Sequence, residues 1–145
     1  MRIVLDTNIL VRAAGDENGL AGKLLQLIAP GPHVLLISQH ILGEVSRVLA
    51  YSRLQARWRL TPERIDEFAA RLAALAEIVH SPTAPRKLVL ADPDDDAIVH
   101  TALSGRADVL CTRDVHFSHP DVLQFCARHS IQVMDDIQLY RTINP

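Results

Sequence analysis

Apolar positions along the chain fall into two kinds of run: short unbroken ones, and longer ones spaced like a helix face. Arg2-Ile3-Val4-Leu5 leads an apolar segment onto Asp6, and residues 2–6 read as a short buried strand. Residues 8–14 carry a brief helical pattern that closes near Gly15, and Asp16 to Gly19 make a turn. Leu20, Leu24, Leu25, Leu27 and Ile28 recur at helical spacing until Pro30-Gly31-Pro32 stops them. His33 to Ile37 is a second strand, and Ser38 is the N-cap of a helix whose apolar face holds Ile41, Leu42, Val45, Val48 and Leu49. Residues 52–60 are basic and irregular. Thr61 as N-cap, with Pro62 at the first helical position, opens a helix that runs to about Leu75. Glu77 to His80 is a short strand, and Ser81 to Arg86, with Pro82 and Pro85, is a loop. Asp94 or Asp95 caps a helix through Leu103, which Gly105 ends. Val109-Leu110-Cys111 is a strand, Asp121 to His129 a helix, Ile131-Gln132-Val133 a strand, and Asp135 to Ile143 a last helix.

Strands that are apolar throughout and alternate with helices predict an α/β fold with a parallel sheet covered on both faces. The expectation is four or five strands, about seven helices and right-handed crossovers. The carboxyl ends of parallel strands open onto one crevice, which brings Asp6 and Asp114 side by side.

At 145 residues the chain suits one domain with a sizeable core. A net charge of −2 announces no nucleic-acid binder globally, although a local basic patch would serve. Aromatics at 4% argue against a broad base-stacking platform. Cys111 and Cys126 make neither a disulfide framework nor a zinc spacing, and Cys111 reads as a small core residue. No apolar segment reaches the roughly 18 residues of a membrane span, and the N-terminus lacks a signal-peptide pattern. A reducing, cytoplasmic location without membrane contact is expected.

The acids change the picture. Asp6 and Asp114 each follow an apolar run, Asp92, Asp94, Asp95 and Asp96 open a helix, and Glu44 lies mid-helix beside Ile41, Val45 and Val48. Each has a structural use. Asp6 serves as an N-cap, a site acid or both. Asp94 and Asp95 complement a helix dipole. Glu44 sits on a solvated flank, and Asp114 caps a turn, with Thr112 placed to hydrogen-bond to it. Asp96, just before Ala97-Ile98-Val99, is the best placed of its cluster to point inward. Taken together, three or four carboxylates at strand ends and helix starts suit a hard cation such as Mg²⁺ or Mn²⁺ beside a phosphate.

In order and spacing, these segments resemble the motifs of PIN-domain nucleases, most closely the PIN proteins that form toxin components of bacterial toxin–antitoxin pairs. Ile3-Val4-Leu5-Asp6-Thr7-Asn8-Ile9-Leu10 resembles the first motif, Ile37 to Val45 the second, Asp92 to Val99 the third, and Cys111-Thr112-Arg113-Asp114 the fourth. The resemblance covers nearly the whole chain. It implies a PIN-like three-layer sandwich with 52–75 as a helical insert bordering the active-site groove. It places catalytic, metal-binding acids at Asp6, Glu44, Asp96 and Asp114, and supporting roles at Asn8 and Thr112. Asp95 stands beside Asp96 as an alternative or additional acid. Relatives often carry Gly where this chain has Arg113, which either crowds the site or contacts phosphate.

Arg53, Arg57, Arg59 and Arg64 surround Trp58 in the densest basic patch. With Arg57 and Arg59 as contacts, it suits an RNA backbone; otherwise it is a solvated face with Trp58 packed beneath. His100, four residues after Asp96, is a packing residue or a substrate contact; His116 and His119 lie in an expected loop. The expected activity is a Mg²⁺- or Mn²⁺-dependent ribonuclease with an antitoxin partner and a homodimeric state. The rivals are a catalytically silent PIN-fold module that binds RNA or protein, a metal-dependent phosphatase, and a nuclease acting on DNA.

Overall fold

The short apolar runs all become strands of a five-stranded parallel sheet: β1 (Arg2–Leu5), β2 (Val34–Ser38), β3 (Glu77–Val79), β4 (Val109–Cys111) and β5 (Gln132–Met134), in the order β3-β2-β1-β4-β5. The computed structural model describes residues 1–80 and 93–145, with side chains from residue 96 onward in the second stretch. The expected loop at 81–86, and Asp92, lie outside the described residues, as do the side chains of Asp94 and Asp95.

The register sets Ile3 against both Leu35 and Val109, and Leu5 against Cys111. Ile3, Val4, Leu5, Leu35, Leu36, Ile37, Val109, Leu110 and Cys111 are all buried, as expected for strands covered on both faces. Each fully buried aliphatic side chain contributes about 1.5–3 kcal/mol of transfer free energy. The chain winds outward from β1 to β3, then returns to the other side of β1 to lay down β4. The strand order therefore reverses between β1 and β4, and the crevice beyond their carboxyl ends is where such sheets bind ligands.

Among the described residues, eight α-helices surround the sheet: α1 (Thr7–Gly15), α2 (Leu20–Ile28), α3 (Gln39–Leu49), α4 (Ser52–Trp58), α5 (Pro62–Leu75), α6 (Pro93–Ser104), α7 (Pro120–Arg128) and α8 (Asp136–Ile143). The Ser38 and Thr61 caps form as expected, accepting from the Ile41 and Arg64 amides. Asp135 caps α8 in a reciprocal capping box with Gln138.

Four expectations need correction. Residues 52–60 are not irregular: Ser52–Trp58 is helical, ending on Arg59 at φ 52° in the left-handed region. No residue of this helix is fully buried, but Leu54 and Trp58, four positions apart, are partly buried against the core, and Trp58 packs on Gly15 at the end of α1. A Cβ at position 15 would collide with the indole ring. Helix α6 begins at Pro93, ahead of the caps expected at Asp94 or Asp95, because Pro is preorganised for a first helical position. The segment after Asp114 is a 3₁₀ turn, Val115–Ser118, rather than a loop. After α6 the left-handed residue is Arg106, at φ 51°, not Gly105. Gly105 serves close approach instead: a Cβ there would lie 2.9 Å from both Leu36 Cδ1 and Val79 Cγ2.

Candidate active site

Strand β1 delivers Asp6 to the switch-point crevice, and the Asp6 amide donates to the Cys111 carbonyl (2.9 Å), extending the β1–β4 ladder by one residue. Asp6 is therefore level with Thr112, the first residue beyond β4. Asp6 occupies the N-cap position of α1, but its side chain makes no capping hydrogen bond. Thr112 Oγ1 donates to Asp6 Oδ2 at 2.7 Å, both residues being buried. The same Thr112 oxygen accepts from the Asp114 amide at 3.0 Å. A hydroxyl has one proton to give, so Thr112 orders Asp6 and not, as expected, the Asp114 carboxylate.

Asp6 is only 3% exposed. Burial pushes its carboxyl above the usual carboxylate range; the Thr112 hydrogen bond and the nearby Asn8 amide pull it back, and the charges of Asp114 and Glu44 push it up again. These three acids thus share one electrostatic neighbourhood. Glu44, from α3, is largely buried and accepts from Thr7 Oγ1 at 2.5 Å, with Arg47 3.6 Å away. Asp114 caps the 3₁₀ turn through the His116 amide (2.9 Å), with the His116 ring 3.3 Å distant. Asp96 is buried in the first turn of α6, which packs against β1, β2, β4 and α3. A helix that precedes β4 in a parallel sheet starts at the carboxyl edge, so Asp96 lies at the same edge of the sheet as Asp6. His100, one turn along, is buried too.

Asn8 is exposed, and its side chain makes no hydrogen bond among the described residues; it contributes its backbone, whose carbonyl accepts from Arg12 Nε (3.4 Å). Arg57 and Arg59 are exposed, and Arg57 lies over the Trp58 ring, 5.6 Å from its centroid. With Arg57 on the ring and Gly15 against it, Trp58 is packed rather than offered as a stacking platform. Trp58 meets the far end of α1 from Asp6, a helix length of about 13 Å away. Arg113 pairs through Nε with Asp136, and Arg12 reaches the same carboxylate at 3.2 Å. Cys111 is buried, its thiol pushed up to about 12, chiefly by burial.

Thr7, Arg12 and Asp136 carry no signal in the sequence analysis beyond their neighbours. Thr7 had one available clue, a hydroxyl directly behind a strand-end acid. Asp136 had another, a second acid behind the cap of a helix.

A family model described as PIN domain matches residues 2–116. The chain belongs to the PIN domain family. Among solved structures, a chain in the crystal structure of VapBC2 from Rickettsia felis bound to a DNA fragment from their promoter superposes on this PIN domain with a TM-score of 0.62. The two are 18% identical, and the match covers 92% of this chain and 98% of the other. At that identity the likeness establishes the PIN fold. No curated protein matches the chain.

The donor set of this PIN domain suits a hard divalent cation, since Asp6, Glu44, Asp96 and Asp114 offer carboxylate oxygens. The like-charge load on buried Asp6 is what a cation would relieve. Among the described residues, the side chains as they stand do not gather three potential ligands on one ion-sized point. They are turned onto their own donors: Asp6 to Thr112, Glu44 to Thr7, and Asp114 to the His116 amide.

Proposed function

We propose that this PIN domain is a Mg²⁺- or Mn²⁺-dependent endoribonuclease and the toxin component of a toxin–antitoxin pair. One observation carries the reading: a buried carboxylate, Asp6, at the sheet's switch point, loaded by the charges of Asp114 and Glu44. Asp6, Glu44, Asp96 and Asp114 would hold the cation, with Asp95 as a further acid. A bound divalent ion would supply Lewis-acid activation of a water and of the phosphoryl group. The chain's own groups keep the acids ready. Thr112 fixes the rotamer of Asp6, Thr7 fixes Glu44, and the His116 amide fixes Asp114. Arg113 lies within the acidic segment, and Arg57 and Arg59 lie farther off; these cations offset the repulsion between a cluster of acids and a polyanion.

Residues 1–145 act as a single domain in this reading, with 52–75 as a helical insert that borders the active-site groove. The VapBC2 complex that shares the fold motivates an antitoxin partner, and a homodimer is the expected assembly. Hydrolysis leaves a 5′-phosphate and a 3′-hydroxyl. A silent binding module is the second reading, motivated by carboxylates turned onto their own donors.

The test is cleavage of labelled single-stranded RNA, and DNA of the same sequence, with Mn²⁺, Mg²⁺ or EDTA, by the parent and Asp6→Asn. Metal-dependent RNA cutting lost in the variant supports the nuclease. RNA binding without cutting, unchanged in Asp6→Asn, supports the binding module, and cutting confined to DNA overturns the ribonuclease.

A further inference from the structure

Asp136 is the most deeply buried carboxylate among the described residues, fully removed from solvent in the first turn of α8. Two arginines meet it. Arg12, from α1, donates through Nη2 at 3.2 Å, and Arg113, from the segment beyond β4, donates through Nε. One arginine is enough to neutralise one carboxylate, and Arg12 also ties the cluster to α1 through the Asn8 carbonyl. The second arginine therefore brings more positive charge than burial of Asp136 requires.

That extra charge stands between Thr112 and Asp114, and these three residues line one surface cleft. Arg113 is half exposed and uses only Nε on Asp136; its two terminal nitrogens make no hydrogen bond among the described residues. A guanidinium gripped by one edge has its remaining N–H groups held in a fixed plane, the geometry that receives two oxygens of a phosphate.

We infer that Asp136 is a positioning residue that grips Arg113 by Nε and presents its terminal nitrogens to a phosphate of the RNA backbone. This rests on the ribonuclease reading and adds to it the residue that orients a substrate contact. Arg113→Ala leaves Asp136 paired with Arg12, so the buried carboxylate is not orphaned and the fold is retained.

The experiment is a double-mutant cycle on Asp136→Asn and Arg113→Ala, with binding of a labelled single-stranded RNA read by fluorescence anisotropy in EDTA and KM read separately with Mn²⁺. Circular dichroism checks each fold. Each single variant is expected to weaken binding about tenfold, as for loss of a charge-assisted hydrogen bond, and to raise KM similarly. Asp136→Asn is expected to add nothing in the Arg113→Ala background, which a general loosening of the fold would not reproduce. Arg113→Lys, which keeps the charge but lacks the planar fork that grips Asp136 by one edge and offers the other to a phosphate, is expected to bind more weakly than the parent. Full affinity in Arg113→Lys, or an Asp136→Asn loss that persists without Arg113, overturns the inference, as does unchanged affinity in Arg113→Ala while the parent still cuts RNA. A parent that neither binds nor cuts any RNA overturns the ribonuclease reading and this inference with it.

Discussion

Asp6→Asn should make the protein more stable while removing its activity. The carboxylate of Asp6 is 3% exposed and receives one strong hydrogen bond, from Thr112, against the charges of Asp114 and Glu44. An asparagine oxygen still accepts from Thr112, and its amide donates toward the remaining acids. Each relieved like-charge neighbour is worth on the order of 1 kcal/mol once solvent screening is included. A net gain of about 1.5 kcal/mol follows, within the usual range for relieving a functional site, and it raises Tm by roughly 3–6 °C for a chain of this length. The pH dependence has a definite sign. The folded protein keeps the Asp6 proton over a range in which the unfolded chain, titrating near about 4, has released it. The ionised group therefore costs stability at neutral pH, and that cost fades as pH falls below the folded value. Urea denaturation of parent and Asp6→Asn in EDTA, at pH 7 and at pH 4, measures both effects. A variant less stable than the parent at pH 7, or a gap that does not narrow at pH 4, would refute the reasoning that burial and repulsion dominate this carboxylate.

Added Mn²⁺ should reverse that order, since ligand at a hundred times Kd stabilises the parent by about 2.7 kcal/mol and leaves Asp6→Asn nearly unmoved; equal Tm shifts by scanning calorimetry would argue against Asp6 as a ligand. Thr112→Val removes the donor to Asp6 and the acceptor for the Asp114 amide, so a loss of about 1–3 kcal/mol in chemical denaturation is expected, together with slower cleavage. Gly105→Ala forces a methyl against Leu36 and Val79, and overpacking of this kind costs about 1–3 kcal/mol, visible as a lower Tm with the acids untouched. Arg57→Ala with Arg59→Ala should weaken RNA binding and flatten its dependence on salt, and identical log K against log salt slopes for variant and parent would remove these arginines from the interface.

The parts legible in the sequence were those whose cause is local. An apolar run ending in an acid, as at Ile3 to Asp6, needs only its own residues to become a strand with a carboxylate at its tip. Ser38 and Thr61 cap helices through amides three residues away. That Asp6 and Asp114 share one electrostatic neighbourhood followed from the parallel α/β pattern, because register carries one strand end to the next. The misreadings have non-local causes. Helix α4 shows too short an apolar pattern to read, because only Leu54 and Trp58 face the core and Trp58 docks against a glycine 43 residues earlier. The pairing of Arg12 with Asp136 spans 124 positions, and no spacing rule reaches that far. Thr112 lies two residues from Asp114 and 106 from Asp6, yet its hydroxyl proton goes to the distant acid, since only the assembled sheet brings Asp6 within reach.

Trp58 is the chain's only tryptophan, and it is wedged between Gly15 and the Arg57 guanidinium. The tryptophan emission of this protein, excited at the red edge where its two tyrosines absorb little, therefore comes from one junction, where α4 meets the end of α1. A red shift would register the indole leaving that junction for water, whatever happens at the acids. The molecule thus carries its own optical probe for any partner that lifts the arginine-bearing helix, and that probe needs neither a label nor a substrate.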